Sequence, residues 1–75
     1  MDTLAPQIGR TVRRHRESAK LSQEELADRA GLHRTYISLL ERGRRNPSVD
    51  ALGKIAGALG VPASRLLAEA EEDGG

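Results

Sequence analysis

Apolar residues along the chain recur at three- and four-residue intervals, and no stretch alternates apolar with polar side chains. The first spacing is the period of a helix and the second that of a strand, so the pattern predicts an all-α protein. No Asn-Gly pair occurs, and the one Asp-Gly pair, Asp73-Gly74, has no alternating apolar run beside it to make a hairpin.

Punctuation divides the pattern into five helices. Leu4, Ile8 and Val12 stand four apart and place the first helix over about residues 3–19. His15 continues this stripe and is expected as a half-buried packing histidine. "SQEE" (22–25) is a capping box, in which the Ser22 hydroxyl accepts from the Glu25 amide and the Glu25 carboxylate accepts from the Ser22 amide. It opens a second helix with Leu26, Ala27 and Ala30 inward, ended by Gly31 in a left-handed turn.

A third helix covers about residues 33–42 and closes at Gly43. Pro47 disfavours helical backbone at Asn46, so "RRNP" is a loop. Ser48 caps the fourth helix, and Asp50 sits near its positive end. Leu52, Ile55, Ala56 and Leu59 form its inward stripe, and Gly60 stops it. Gly53 and Gly57 are expected at the surface rather than in a close helix contact. Pro62 starts a fifth helix carrying Leu66, Leu67 and Ala70. The expected domain spans residues 1–68, with an acidic tail over 69–75 that meets the negative end of a helix dipole and should fray.

With 75 residues the chain is near the size at which a single core barely suffices. Cysteine is absent, so neither a disulfide nor a thiolate zinc site can add stability. His15 and His33 lack partners at metal-ligand spacing, and no metal or other cofactor is expected. No apolar run is long enough to cross a bilayer and no signal peptide follows Met1, so the expected setting is cytoplasmic, on the nucleoid, away from membrane.

The net charge of +1 hides an asymmetry. Four of the eleven acidic groups lie in residues 69–73, leaving residues 1–68 with twelve basic against seven acidic side chains. The bases cluster in "RTVRRHR" (10–16) and "RGRR" (42–45). Such clusters suit a polyanion. On charge alone a solvated face is an equally good reading.

The third helix changes that balance. At 100° per residue Ile37 and Leu40 point the same way with His33 between them, so this face should be inward. Thr35, Ser38, Leu39 and Arg42 lie opposite, with Arg34 on one shoulder and Tyr36, the sole aromatic, on the other. A guanidinium fork, hydroxyls and an apolar side chain are groups that read base edges in a DNA major groove. A capped helix, a glycine turn and this helix make a helix-turn-helix over about residues 23–42.

"LSQEELADRAGLHRTYISLLERGRRNPSVDALGKIAGALGV" (21–61) resembles the DNA-binding domain of the Cro/cI-type (XRE) helix-turn-helix repressors, and the resemblance runs from about residue 8 to residue 67. Its markers are Leu21-Ser22-Gln23, Leu26-Ala27, Gly31, Ile37-Ser38, Leu40-Glu41, Gly43, Asn46-Pro47-Ser48 and Leu59-Gly60-Val61. It implies a compact five-helix, lambda-repressor-like fold and double-stranded DNA as partner. It also implies base-facing positions at Arg34, Thr35, Tyr36, Ser38 and Leu39. Gln23 would bond a phosphate and buttress the recognition helix, and Arg42, Arg44, Arg45 and Asn46 would follow the DNA backbone. Arg16 and Glu41 match positions that form a structural ion pair. Arg13, from the first cluster, is a further expected phosphate contact. The small size, five helices and "HRTYIS" are similar to the controller proteins of restriction-modification systems. Two departures bear on stability: Lys20 stands where relatives often have glycine in a left-handed turn, and Pro62 replaces a serine-type cap.

Enzyme chemistry is not expected. No nucleophile has an adjacent base, no carboxylate pair shares a buried face, and no glycine-rich phosphate loop follows a strand. The rival reading is a protein-interaction module, such as an antitoxin that grips a partner protein. A homodimer on a palindromic operator is expected, because one recognition helix covers too few base pairs for a genome. Its interface is sought among Val61, Leu66, Leu67 and Ala70, since one helix cannot bury two adjacent leucines equally in its own core. No small-molecule ligand is expected, so the protein's own concentration would set its occupancy.

Overall fold

A computed structural model describes residues 3–73. Its helices are α1 (Ala5–Ser18), α2 (Gln23–Ala30), α3 (Arg34–Glu41), α4 (Val49–Leu59) and α5 (Ala63–Asp73). No strand occurs among the described residues. The ends of the helices follow the local chemistry of the chain. The Ser22 hydroxyl accepts from the Glu25 amide at 3.0 Å and the Glu25 carboxylate accepts from the Ser22 amide at 2.9 Å. The bond from the Ser22 amide, and after it the Ser22 hydroxyl beside the carboxylate, hold the Glu25 carboxyl below the usual carboxylate range. Ser48 caps α4 by accepting from the Ala51 amide at 3.0 Å. Gly31, Gly43 and Gly60 close α2, α3 and α4 with positive φ. Lys20 also takes a positive φ of 60°, the conformation that glycine adopts without a Cβ penalty.

Every helix contributes to one core. Val12, Leu26, Ile37, Leu40, Ile55 and Leu66 are fully buried. α1 packs on α3 and α5, α2 on α3 and α4, and α4 on α5. Truncating one such side chain to alanine costs about 2–5 kcal/mol, a large share of a small domain's stability. Gly53 and Gly57 face open space on α4.

Several expectations need correction. His33 is exposed, not inward. It is the N-cap of α3 with extended backbone (φ −80°, ψ 145°), so the 100° count does not reach it. Leu32 packs against the core from the preceding turn instead. Leu59 is only half-buried, while Ala51 joins the α4 stripe.

The largest correction concerns the acidic end. α5 continues to Asp73 instead of fraying after residue 68. Arg10 Nε donates to Asp73 Oδ2 at 2.8 Å, Arg14 Nη2 donates to Glu69 Oε1 at 2.8 Å, and His15 Nε2 lies 2.9 Å from the same oxygen. Cations from α1 thus offset the dipole penalty that favours fraying. Residues 74–75 of the expected tail, like residues 1–2, lie outside those described.

Candidate nucleic-acid interface

α2 and α3 are joined through Gly31, whose amide donates to the Asp28 carbonyl at 3.2 Å, and Leu32, whose amide donates to that of Ala27 at 2.8 Å. These bonds fix the turn of a helix-turn-helix. α3 then buries Ile37 and Leu40 and turns its other sides outward. Arg34 and Thr35 are exposed, whereas Tyr36, Ser38 and Leu39 are half-buried, closer to the flanks of the helix than to its crest.

Glu41 anchors the far end of α3. It is buried, with only 3% of its side chain exposed. Its carboxylate accepts from Arg16 Nε at 2.7 Å, Arg16 Nη2 at 3.0 Å and Gln23 Nε2 at 3.1 Å. Arg16 also donates to the Leu21 carbonyl at 2.8 Å. Bonding to Glu41 raises the Arg16 guanidinium further above its already high value, and burial works against that. One carboxylate therefore ties α1, the start of α2 and the end of α3 together. Gln23 spends one amide hydrogen on this anchor, a contact that buttresses the end of α3.

The two arginine clusters differ in their partners. In the first, Arg10, Arg13, Arg14 and Arg16 each pair with a carboxylate: Asp73, Glu17, Glu69 and Glu41. The exposed i,i+4 pair of Arg13 with Glu17, at 3.2 Å, is the loosest of the four. The density of charge in "RTVRRHR" is thus mostly matched from within. In contrast, Arg34, Arg42, Arg44 and Arg45 form no ion pair with a described carboxylate. Arg42 Nε donates to the Ser38 carbonyl at 3.4 Å. The Arg45 guanidinium lies over the Tyr36 ring, 4.9 Å from its centroid, a cation–π contact that joins loop to helix. Arg44, Arg45 and Asn46 are exposed in the loop after Gly43.

The proposed dimer residues divide. Leu66 and Ala70 are fully buried in the chain's own core, because positions four apart share the inward face of α5. They are not free for a partner. Leu67, turned 100° away, is 37% exposed, and Val61 is half-buried beside the same core. Val49, at 90% exposure, is a bare apolar side chain that the sequence reading did not single out. Nor did that reading single out Gly9, which packs against the end of α3.

No described helix is long and apolar enough to cross a membrane. The described residues form no group of three or more His, Cys, Asp or Glu that could hold a metal ion.

The helix-turn-helix family model matches residues 12–66. Control protein C.BamHI of Bacillus amyloliquefaciens is 53% identical over 61 residues, covering 80% of this chain and 75% of that protein. The immunity repressor protein of Bacillus phage phi105 is 40% identical over 62 residues, covering 83% of this chain. The chain spans 43% of that repressor's length. Among solved structures, the restriction-modification controller protein C.AhdI from Aeromonas hydrophila superposes with a TM-score of 0.81 at 39% identity, covering 83% of this chain and 94% of that one. All three carry the names of regulators, not enzymes.

Proposed function

The chain belongs to the helix-turn-helix family, of the Cro/cI (XRE) type, and from that premise we propose that it reads a specific double-stranded DNA sequence and regulates transcription there. The carrying observation is the contrast between its arginines. Those of α1 are paired internally, while Arg34 and the cluster over 42–45 form no ion pair among the described residues and present their guanidinium groups along and just beyond α3. In this reading α3 enters the major groove. Arg34 bonds a guanine through O6 and N7, Thr35, Ser38 and Tyr36 meet neighbouring edges, and Leu39 meets a thymine methyl. Arg13, Gln23, Arg42, Arg44, Arg45 and Asn46 hold the phosphates. Arg16 and Glu41 keep the helix at its angle and touch no DNA.

The working unit is a homodimer on a palindromic operator. α3 has eight residues and is about 12 Å long, so it spans only a few base pairs. The whole molecule measures 32 × 21 × 21 Å, and two copies about a twofold axis can set their recognition helices one turn of DNA apart, about 34 Å. Leu67, with the half-buried Val61 near the start of the same helix, supplies apolar surface for that contact. The names of the C.BamHI and C.AhdI relatives support the narrower role of a restriction-modification controller.

Selection of duplexes from a random pool tests the reading. A recovered palindrome bound with an affinity that falls steeply with salt is the expected result. Absence of any salt-dependent duplex binding, together with capture of a protein partner, would instead favour an interaction module of the antitoxin kind.

A further inference from the structure

The end of α3 rests on the bare backbone of α1. A Cβ built on Gly9 would overlap the Leu40 carbonyl oxygen and stand 2.8 Å from that of Glu41. Both carbonyls belong to the last turn of α3. Two residues beyond Glu41, Gly43 turns with φ +74°, and a Cβ there would lie 2.9 Å from the Pro6 Cα. Pro6 and Gly9 are three apart in α1 and so share one face. One stripe of α1 thus seats the exit of α3 on bare backbone at Gly9, and the first residue of the loop on the Cα and ring of Pro6.

We propose that Gly9 and Gly43, with Pro6, are positioning residues for the phosphate-binding loop: their close contact sets how far Arg44 and Arg45 reach toward DNA. The inference rests on the DNA-reading function proposed above. A side chain at position 9 must push the last turn of α3 away from α1, because the atoms it meets are backbone. The Arg16–Glu41 pair can keep its bonds through a small shift of this kind, since a long arginine side chain follows the carboxylate as it moves. The start of α3, with Arg34, stays tied to α2 through the Gly31 turn. Displacement is therefore concentrated at the loop. Gly53 in α4 provides the contrast, because a Cβ there meets nothing within 4 Å.

Gly9→Ala, Pro6→Ala and the control Gly53→Ala are to be compared with the parent chain, each at a temperature where circular dichroism shows it folded. The probe is a duplex recovered from a random pool. Gly9→Ala is expected to lower the slope of log affinity against log salt by about two units, one for each arginine that loses its phosphate. Adding Arg44→Ala or Arg45→Ala to it should then change little, and the base preference due to Arg34 should persist. Pro6→Ala, which removes the ring but creates no overlap, should shift the slope the same way by less, and Gly53→Ala should not shift it. A folded Gly9→Ala with the parental slope and undiminished effects of Arg44→Ala and Arg45→Ala overturns the proposal. Should Gly9→Ala fail to fold, an unchanged slope in Pro6→Ala overturns it. A parent chain without salt-dependent duplex binding sinks the DNA reading itself and this inference with it, a result separable from the others.

Discussion

Arg34 opens α3 with an exposed side chain and no described carboxylate to hold it. A guanidinium so placed keeps its full set of donors for a ligand, and the cost of desolvating it is offset only by a fork-shaped acceptor such as a guanine edge. Arg34→Ala should therefore cost about 1–3 kcal/mol on the cognate site and relax preference at one base pair. Titration of cognate and single-substituted duplexes measures this, and equal weakening on every sequence would demote Arg34 to a phosphate contact. Leu39 and Ser38 stand less far out than a helical wheel suggests, both being half-buried.

Between elements, ionic contacts of two kinds add to the apolar core. The Arg16–Glu41 pair joins α1 to α3 with side chains only 11% and 3% exposed. Removing one partner strands the other charge in a nearly dry site, which costs about 3–5 kcal/mol, whereas replacing both with apolar residues leaves none stranded. In urea unfolding, Arg16→Met and Glu41→Leu should each destabilise more than the double variant, and additive losses would show no coupling. The α1–α5 contacts are wetter and respond to pH. The His15 bond, then the Arg14 bond, hold the Glu69 carboxyl below the usual carboxylate range. A carboxyl depressed in the folded state contributes stability that is present above its unfolded pKa, about 4.5, and lost as pH falls below that through the folded value. Glu25 contributes in the same direction through its cap. Glu69→Gln should therefore flatten part, and not all, of the fall in thermal midpoint on acidification. An acid limb identical to that of the parent would mean the α5 contacts add nothing.

At the scale of the whole molecule, the proposed homodimer rests on the exposed apolar side chains left outside the core. Leu66 and Leu67 are neighbours with opposite fates, one fully buried and the other 37% exposed. Leu67→Asp should leave the monomer folded while placing a charge in the twofold contact. Sedimentation at micromolar concentration should then show a monomer, with affinity for a palindrome reduced to that for one half-site. A dimer that persists in Leu67→Asp would move the interface elsewhere. Leu66→Asp, by contrast, should unfold the chain, because it buries an unpaired carboxylate.

The helices, their caps and the helix-turn-helix were legible in the chain because they depend on neighbours three or four residues apart. Ser22 with Glu25, Gly31, Ser48 and the apolar stripes all act within one or two turns. The exposure of Arg34 and Thr35 was legible for the same reason, since helical periodicity sets which residues point away from Ile37 and Leu40, whereas the half-burial of Ser38 was not. What only the tertiary structure decided lies across helices. The composition of "RTVRRHR" suggests a polyanion, yet its charges are met by acids from α1, α3 and α5, up to 63 positions away. The acidic end appears fit only to fray until α1 supplies its counter-charges. His33 leaves the core because the backbone at an N-cap is extended, and Gly9 matters because another helix's carbonyls stand where a side chain would be. Short-range spacing carries propensity and pattern, but a charge or a close approach takes its meaning from whichever element the fold brings against it.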